Sequence, residues 1–350
     1  MNALSAGAAA GDGPYGPLRA ADGNGLMLPQ GFSSRIVARS GQQIADYVWH
    51  SAPDGGACFA DGAGWIYVSN SEVQLVGGVG ALRFDSAGTI VDAYRTLSGT
   101  NVNCAGGATP WHTWLSCEEV DHGQVWETDP WGVDEPVVRP AMGVFTHEAC
   151  AVDPDLKVVY LTEDRTDGGF YRFTPTGWPD LSTGLLEIMI DTPDGVDWAP
   201  VPDPSAATEP TRHQVADAKP FNGGEGCYYA AGTCWFATKG DNRVWAYDAA
   251  DGTLSLTYDD DAPLSGVDNV TRAASGDLFV AEDGGNLEIC LITPDCVVAP
   301  FVRVLGHERS EITGPAFSPD GSRLYFSSQR GTAGSPATGM TFEVTGPFRS

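Results

Sequence analysis

Carboxylate and amide side chains recur at the ends of short apolar strands along this sequence. Six strands run into such residues, at Glu72, Glu118/Glu119, Glu163/Asp164, Asp241, Glu282/Asp283 and Gln329. A preceding strand begins in each case with a similar residue, at Asp54, Asn103, Glu148, Glu225, Asp268/Asn269 and Glu311. If the fold brings these side chains together, so many carboxylates cannot all stay ionised without cations. Carboxylate and amide oxygens suit hard cations, so the pattern indicates bound Ca²⁺.

Three further side chains next to these acids could take part in chemistry. Cys117 precedes Glu118 in WLSCEE, where a thiolate would be a poor calcium ligand but a reasonable ligand for iron; the alternative is a small buried thiol. Arg165 follows Asp164 and would either balance charge or clamp an anion such as a phosphate or carboxylate. His147 is a ligand, a general acid–base or a structural histidine. The sequence has no G-x-S-x-G elbow, P-loop, H-E-x-x-H or Rossmann motif.

The spacing of the strand-and-acid pattern predicts how these residues are positioned. Successive copies lie 47, 45, 77, 42 and 46 residues apart, and four of these intervals match the ~40–50-residue period of propeller blades. We therefore predict an all-β fold, a six-bladed β-propeller in one domain spanning 1–350, with 1–30 as an N-terminal extension. The strand at 33–39 would close the ring as the outer strand of the last blade. In that fold the two sets of acids meet at one mouth of the central channel.

The long interval contains about 30 extra residues, in the region 176–220. This stretch has one clear strand pattern, at 185–190, followed by a Pro-rich segment. We expect a long insertion loop here, of the kind that often covers a functional site.

The composition excludes several classes of protein. With 19 basic and 46 acidic residues the formal net charge is −27, which excludes nucleic acid or an anionic membrane as a partner through general electrostatics. No apolar run is long enough for a transmembrane helix. The eight cysteines form no CxxC pair, and free thiols and disulfides both remain open. We expect a monomer.

Several ordered motifs resemble the PhoX-type alkaline phosphatase family, and its shorter bacterial members most of all. These motifs are TPWHTWLSCEE, FTHEACAVDP, VVYLTEDR, FNGGEG, DLFVAEDGG and EITGPAFSPDG, within about 103–330. The resemblance implies a six-bladed propeller, a calcium–iron cluster at the channel mouth and hydrolysis of phosphomonoesters. It also implies export to the periplasm or secretion, typically by a twin-arginine leader. The first residues here show no signal peptide, which leaves a cytoplasmic location open.

Carried over by position, the resemblance implies that Cys117 ligates iron. Carboxylates for the cluster would come from Glu148, Glu225 and Glu282, together with Glu118, Asp164 and Asp283. Arg165 would clamp the phosphate, by a looser correspondence.

The sequence thus predicts a metal-dependent phosphatase or phosphoesterase that acts on a small-molecule phosphate ester with Ca²⁺ and Fe³⁺, or with Ca²⁺ alone. The expected catalytic residues are Arg165, Glu148 and Glu225. The expected metal ligands are Cys117, Glu118, Glu119, Glu148, Glu163, Asp164, Glu225, Asp268, Glu282, Asp283 and Glu311. A calcium-dependent lactonase or phosphotriesterase-like propeller, which needs no cysteine ligand, is the first alternative. A non-catalytic metal-binding propeller is the second.

Overall fold

Short apolar strands separated by Gly- and Asp-containing turns dominate the computed structural model, which describes residues 8–260 and 263–350. A typical hairpin joins Pro53–Asp61 to Gly64–Ser71, and Gly62 takes the positive φ of 60° that so tight a turn requires. Helical structure in the described ranges is limited to four short 3₁₀ turns, at Pro140–Met142, Thr211–His213, Lys239–Asp241 and Pro336–Thr338. Within the same ranges, no helix has the length and apolar character needed to cross a membrane.

Six antiparallel sheets form the blades, and the strand nearest the channel comes first in each. Blades 1 and 2 consist of Pro53–Asp61, Gly64–Ser71, Gly77–Phe84 and Ile90–Thr100, and of Asn103–Ala108, Trp114–Glu118, Val125–Thr128 and Val137–Val138. Blades 3 and 4 consist of His147–Asp153, Val158–Glu163, Phe170–Gly177, Asp180–Thr192 and Gly195–Pro200, and of Gly224–Ala230, Thr233–Thr238, Arg243–Asp248 and Thr253–Asp259. Blades 5 and 6 consist of Val267–Arg272, Leu278–Glu282, Glu288–Ile292 and Val297–Val304, and of Ile312–Phe317, Arg323–Ser328, Met340–Thr345 and Ser33–Arg39.

The inner strands of neighbouring blades contact one another around a closed ring. The predicted closure is confirmed, because Ser33–Arg39 pairs antiparallel with Met340–Thr345 as the fourth strand of blade 6. This pairing covers the edge that blade 6 would otherwise expose, and it ties the two ends of the chain together. A small hairpin, Gln43–Ile44 with Tyr47–Val48, follows the closing strand.

The segment around 176–220 differs in part from the expected loop. The strand predicted at 185–190 is longer, Asp180–Thr192, and it pairs with a further strand, Gly195–Pro200, to give blade 3 a fifth strand. Residues 201–223 form the remaining connection, which returns to the channel mouth. The second strand was not predicted, because its alternation of apolar and polar residues is short and weak and it lies in a Pro-rich stretch.

The N-terminal extension is attached to blade 5. Ala9–Ala10 and Leu26–Met27 both pair with Val297–Val304, while residues 1–7 lie outside the described part of the chain. Packing between blades includes aromatic stacking, for example Tyr67 on Tyr325 between blades 1 and 6. The closed ring places the starts of six inner strands around one opening.

Candidate metal centre

Each inner strand carries a β-bulge close to its start. In blade 3, His147 pairs with Glu163 and Cys150 pairs with Leu161, so one extra residue lies on the inner strand. The same shift occurs in the other five blades, after Pro53, Asn103, Gly224, Val267 and Thr313. Because a bulge changes the direction in which side chains point, this repeated irregularity re-aims residues at one end of the channel.

The pairing around these bulges defines two rings of six residues. One backbone hydrogen bond recurs in every blade: the residue just after the second strand donates its N–H to a backbone carbonyl near the start of the inner strand, at N–O distances of 2.8 to 3.2 Å. The residues two positions after these carbonyls form the inner ring: Asp54, Cys104, Glu148, Glu225, Asp268 and Thr313. Five of them are the first residue of the bulge, whereas Thr313 still pairs with Ser327 and the bulge of blade 6 follows it. The donors form the outer ring: Glu72, Glu119, Asp164, Lys239, Asp283 and Gln329.

Seven members of the two rings lie close enough to hold metal ions. They form three groups, in each of which the potential ligand atoms lie within 4.8 Å of one another: Asp54, Glu72 and Cys104; Cys104, Glu119 and Glu148; and Glu148, Glu225 and Asp268. Cys104 and Glu148 each belong to two groups, and the Cys104 Sγ lies 3.2 Å from Glu148 Oε1. The groups therefore form one continuous cluster, which we call the mouth cluster.

Burial makes the mouth cluster unstable as a set of bare anions. The side chains of Asp54, Glu148 and Glu225 are almost fully buried. Burial, with the neighbouring Glu72 and Asp164 carboxylates, raises the pKa of Glu119 to about 8. Burial also raises the pKa of Glu148 well above its ordinary value, and the nearby Glu225 carboxylate adds to this effect. Without cations, the cluster must therefore carry several protons at neutral pH.

The residues present fit bound metal. Glu148 Oε2 is buried and has no hydrogen-bond partner in residues 8–260 and 263–350, an arrangement that native proteins rarely tolerate. A metal ion would supply the missing partner. The many carboxylate oxygens suit Ca²⁺, while the Cys104 thiol suits a transition metal such as iron. Burial followed by the Asp54 and Glu148 charges raises the pKa of that thiol, so its conversion to a thiolate ligand would depend on a cation.

Two cations contact carboxylates at this mouth. The Lys239 Nζ lies 2.7 Å from Glu225 Oε1 and 3.4 Å from Asp283 Oδ2. Arg330 Nη2 lies 2.9 Å from Glu311 Oε1. Both side chains are partly exposed, so they can also meet a solute that enters from solvent.

The structure brings only part of the predicted site together. Glu119, Glu148, Glu225 and Asp268 belong to the mouth cluster. Three more predicted ligands lie beside it through charge or hydrogen bonding: Asp164, Asp283 and Glu311.

Three predicted ligands are engaged elsewhere, in a set that we call the capping row: Glu118, Glu163 and Glu282. Each is the last residue of a second strand, and its carboxylate accepts backbone N–H groups. Glu118 accepts from Asn101 and Gln124 at 2.9 and 3.2 Å. Glu282 accepts from Ser265 and Glu288 at 2.8 and 3.0 Å.

Glu163 has the same role in blade 3, except that a tyrosine hydroxyl replaces one of the two backbone N–H donors. It accepts from the Gly169 N–H at 2.9 Å and from the Tyr171 hydroxyl at 2.7 Å. Its other oxygen lies 2.8 Å from Arg212 Nη1, which comes from the 201–223 connection. The capping row thus ties loops to blades.

Cys117 and Arg165 also lie away from the mouth cluster. The Cys117 side chain is fully buried in an apolar cluster with Leu115 and Val125, against Cys150. Arg165 pairs with the exposed Asp121 on the rim. The cations that contact mouth carboxylates are instead Lys239 and Arg330.

The remaining candidates from the sequence have structural partners. His147 stacks on Phe145 with ring centroids 3.6 Å apart, and burial lowers its pKa to about 3. Asn103 donates to Ser116 Oγ at 2.9 Å rather than facing the acids. All eight cysteines are free; the closest thiols, Cys227 and Cys234, have sulfur atoms 3.4 Å apart.

Cys104 and Lys239 are the residues that sequence reasoning missed. One signal could have identified Cys104: four inner-ring residues are each followed by Gly or Ala, in Asp-Gly, Cys-Ala, Glu-Ala and Glu-Gly pairs. The small residue is required because neighbouring inner strands approach closely at the bulge. A search for acids could not have identified Lys239, because this lysine occupies the outer-ring position that holds an acid in four other blades.

Comparison with known proteins agrees with this geometry. The sequence profile of the family described as alkaline phosphatase PhoX matches residues 66–125 and 120–252, more than half of the chain. Among solved structures, Pseudomonas fluorescens PhoX in complex with vanadate, a transition state analogue, matches with a TM-score of 0.77 and 16% identity, over 97% of this chain and 98% of that one.

A second solved structure shares the fold at a greater distance. The gluconolactonase XC5397 from Xanthomonas campestris matches with a TM-score of 0.55 and 15% identity, over 96% of this chain and 99% of that one. No curated protein sequence gives a significant match. At identities this low, the structural matches show only that the fold is shared. The family is shown by the sequence profile, which matches more than half of the chain. The chain belongs to the alkaline phosphatase PhoX family and is a phosphoester hydrolase.

Proposed function

We propose that this protein hydrolyses phosphate esters of small molecules at a calcium- and iron-containing centre held by the mouth cluster. Membership of the PhoX family supports the phosphatase activity. The composition of the cluster supports the metals, because one thiol among many carboxylates provides ligands for both a soft and a hard cation. The observation that carries the proposal is Glu148 Oε2, which is buried, has no hydrogen-bond partner in the described part of the chain and belongs to a residue surrounded by other potential ligands.

Cys104 would hold iron, and Glu148 would bridge to the calcium side of the cluster because it belongs to two of the three ligand groups. Such ions, when bound, polarise the phosphoryl oxygens and supply an oxygen nucleophile at neutral pH. Glu225 is oriented by its 2.7 Å contact with Lys239, which fixes one carboxylate oxygen and leaves the other for a ligand role.

Lys239 and Arg330 would bind the phosphoryl group of the ester. Both cations reach the mouth from the outer-ring side, are partly exposed, and already pair with acids at 2.7 to 2.9 Å. A phosphoryl group that enters can take over some of these contacts, and negative charge that develops on it would be stabilised by donors already in place. In a chain of net charge −27, these two cations and the bound metal ions together would have to reverse the negative local potential before an anion could bind.

A matched pair of cysteine variants tests this proposal. Purified wild type should contain iron and calcium and should hydrolyse p-nitrophenyl phosphate. Cys104→Ser should lose iron and lower kcat by about 10³-fold, the loss expected when several kcal/mol of transition-state stabilisation is removed. Cys117→Ser should keep both metals and its activity, because that thiol packs in the core.

Thermal unfolding of both variants would separate loss of metal from loss of fold. The proposal fails if Cys104→Ser is folded and keeps its iron and activity. Calcium without iron in the wild type, together with hydrolysis of a lactone but not of the phosphate ester, would favour the lactonase alternative.

A further inference from the structure

Small residues line a narrow part of the channel directly beneath the mouth cluster. The second bulge position in four blades is Gly55, Ala105, Ala149 or Gly226, and these residues surround a void of only about 40 Å³. A Cβ atom on Gly55 would lie 2.5 Å from the Ala105 Cα, so the inner strands are as close as their backbones allow. This layer lies between the mouth cluster and the rest of the channel.

A second cavity of about 710 Å³ lies below this layer. It is lined by the downstream halves of the inner strands, so it is at the opposite end of the channel from the mouth cluster. Its wall includes the aromatic side chains Trp114, Tyr228, Phe317 and Phe348. We call it the lower cavity; its volume is in the range of sites for small organic ligands.

One cation in the lower cavity makes no hydrogen bond or ion pair with residues 8–260 and 263–350. Arg272 is the last residue of the inner strand of blade 5; its side chain lines the cavity, and its Nε atom is buried with no hydrogen-bond partner in those ranges. The guanidinium lies over the Trp235 ring, 5.7 Å from the centroid. The turn next to it makes room, because Gly276 has a φ of +94° and a Cβ atom there would lie 3.2 Å from Arg272 Nη2.

This lack of a partner is unusual for this protein. Every other partly buried lysine or arginine in the described ranges makes a hydrogen bond or an ion pair, for example Arg212 with Glu163 and Arg303 with Glu288. With 46 acidic residues against 19 basic ones, an unpaired guanidinium is not explained by a shortage of acids. A half-buried arginine without an acceptor costs free energy that a bound anion would recover.

We propose that the lower cavity binds a small aromatic anion, with its carboxylate or sulfonate group on Arg272 and its ring among the aromatic side chains of the wall. Arg272 offers a planar set of donors that matches such a group. Tyr228 and Phe317 provide apolar and aromatic surface on the same cavity. This site is distinct from the metal centre, because the Gly/Ala layer lies between them.

The test uses the metal-loaded full chain and the fluorescent aromatic sulfonate 1-anilinonaphthalene-8-sulfonate. Titration should show one saturable site per chain. Arg272→Met should weaken binding about 10- to 100-fold, the range expected for losing charge-assisted hydrogen bonds. Arg309→Met removes an exposed cation outside the cavity and should change the affinity less than about twofold.

Two further measurements locate the site. Ala274 is exposed and lines the cavity, so Ala274→Trp should obstruct binding while Arg272 stays in place and the circular dichroism spectrum is unchanged. Inorganic phosphate, which the metal centre would bind, should not displace the probe. The proposal is overturned if Arg272→Met binds the probe as wild type does, or if phosphate competes with the probe.

Discussion

Neighbouring acids at the channel mouth have opposite environments. Glu118 ends a strand and has both carboxylate oxygens on backbone N–H groups, whereas the next residue, Glu119, lies among Cys104 and Glu148. The same division occurs in blades 3 and 5, where Glu163 and Glu282 belong to the capping row. Their successors lie beside acids of the mouth: Asp164 beside Glu119, and Asp283 beside Glu311.

This difference follows from the geometry of a strand. Successive side chains of a strand point to opposite sides, so a shift of one residue moves a carboxylate from the loop side to the channel side. Backbone N–H groups stabilise a carboxylate and oppose the effect of burial, which still raises the pKa of Glu282 to about 7. A group of like charges has no such donors and needs cations or protons. A pair of acids in one sequence motif therefore contains one residue that accepts hydrogen bonds from a loop and one that lies beside the mouth cluster.

The strongest test of this difference is to neutralise Glu118 and Glu119 in two separate variants. Glu119→Gln removes a charged ligand and should lower kcat for p-nitrophenyl phosphate by about 10³-fold, with a loss of bound metal. Glu118→Gln should keep its metals and stay within about threefold of wild-type activity, because its carboxylate serves two N–H groups away from the cluster. Elemental analysis beside the kinetics measures both effects. Equal losses of metal in the two variants would contradict the division.

Lys239, which contacts mouth carboxylates, and Arg165, which pairs on the rim, provide the next comparison. Lys239→Met should lower kcat/KM about 10- to 100-fold, because Lys239 contacts both Glu225 and Asp283 and would bind the phosphoryl group. Arg165→Met should change kcat/KM by about threefold at most, since Arg165 pairs with the exposed Asp121. Steady-state kinetics on both variants is the measurement, with metal content checked in each. A larger loss of kcat/KM for Arg165→Met than for Lys239→Met would show that Arg165 binds the phosphoryl group.

The fold was predictable because its signal is repeated along the chain. Six copies of a strand ending in acids or an amide, with four of the five intervals between 42 and 47 residues, specified the number of blades, and the unpaired strand at 33–39 specified the closure. The fifth strand of blade 3, Gly195–Pro200, was not predicted, since it is short and lies in a Pro-rich stretch.

The site was harder to predict, because each inner strand contains an extra residue. The polar start of the strand pointed to Asn103, whereas the bulge brings Cys104 to the cluster and Asn103 donates to Ser116. In blade 6 the inner-ring position falls at Thr313 rather than at Glu311, and the bulge follows it. Bulges depend on how neighbouring strands approach, and that information is absent from any single strand.

A stability measurement tests the same difference in blade 3, between Glu163 and Asp164. Glu163→Gln should lower the free energy of unfolding by about 1–3 kcal/mol, because the buried carboxylate accepts from Gly169 and Tyr171 and pairs with Arg212. Its metal content should stay unchanged. Asp164→Asn, one residue on, should lower the metal content and leave the stability of the metal-free protein the same or higher. Chemical denaturation with and without a chelator separates the two, and a metal loss in Glu163→Gln would contradict the capping role.

The smallest expected effect is the pH dependence of the metal-free protein. Burial, with neighbouring charges, raises the pKa of Glu119 to about 8 and that of Glu311 to about 9. Against the opposing effect of Lys239, burial raises the pKa of Asp268 to about 7. The folded state therefore binds more protons than the unfolded state between the ordinary carboxyl pKa of about 4 and these raised values. Stability that these groups contribute is present at about pH 4 and is lost as the pH rises towards about 9.

Metal binding should reverse this slope, because cations replace the protons and bind more tightly as the ligands deprotonate. In thermal unfolding from pH 5 to pH 9, the chelated protein should lose about 5 °C in Tm, and the gap to the metal-loaded protein should widen with pH. Glu119→Gln removes one of the titrating carboxyls, so its chelated form should lose less stability over the same range. Glu118→Gln serves as the control and should follow the wild-type slope. Parallel curves for the chelated and metal-loaded proteins would mean that the acids of the mouth cluster do not exchange protons for metal.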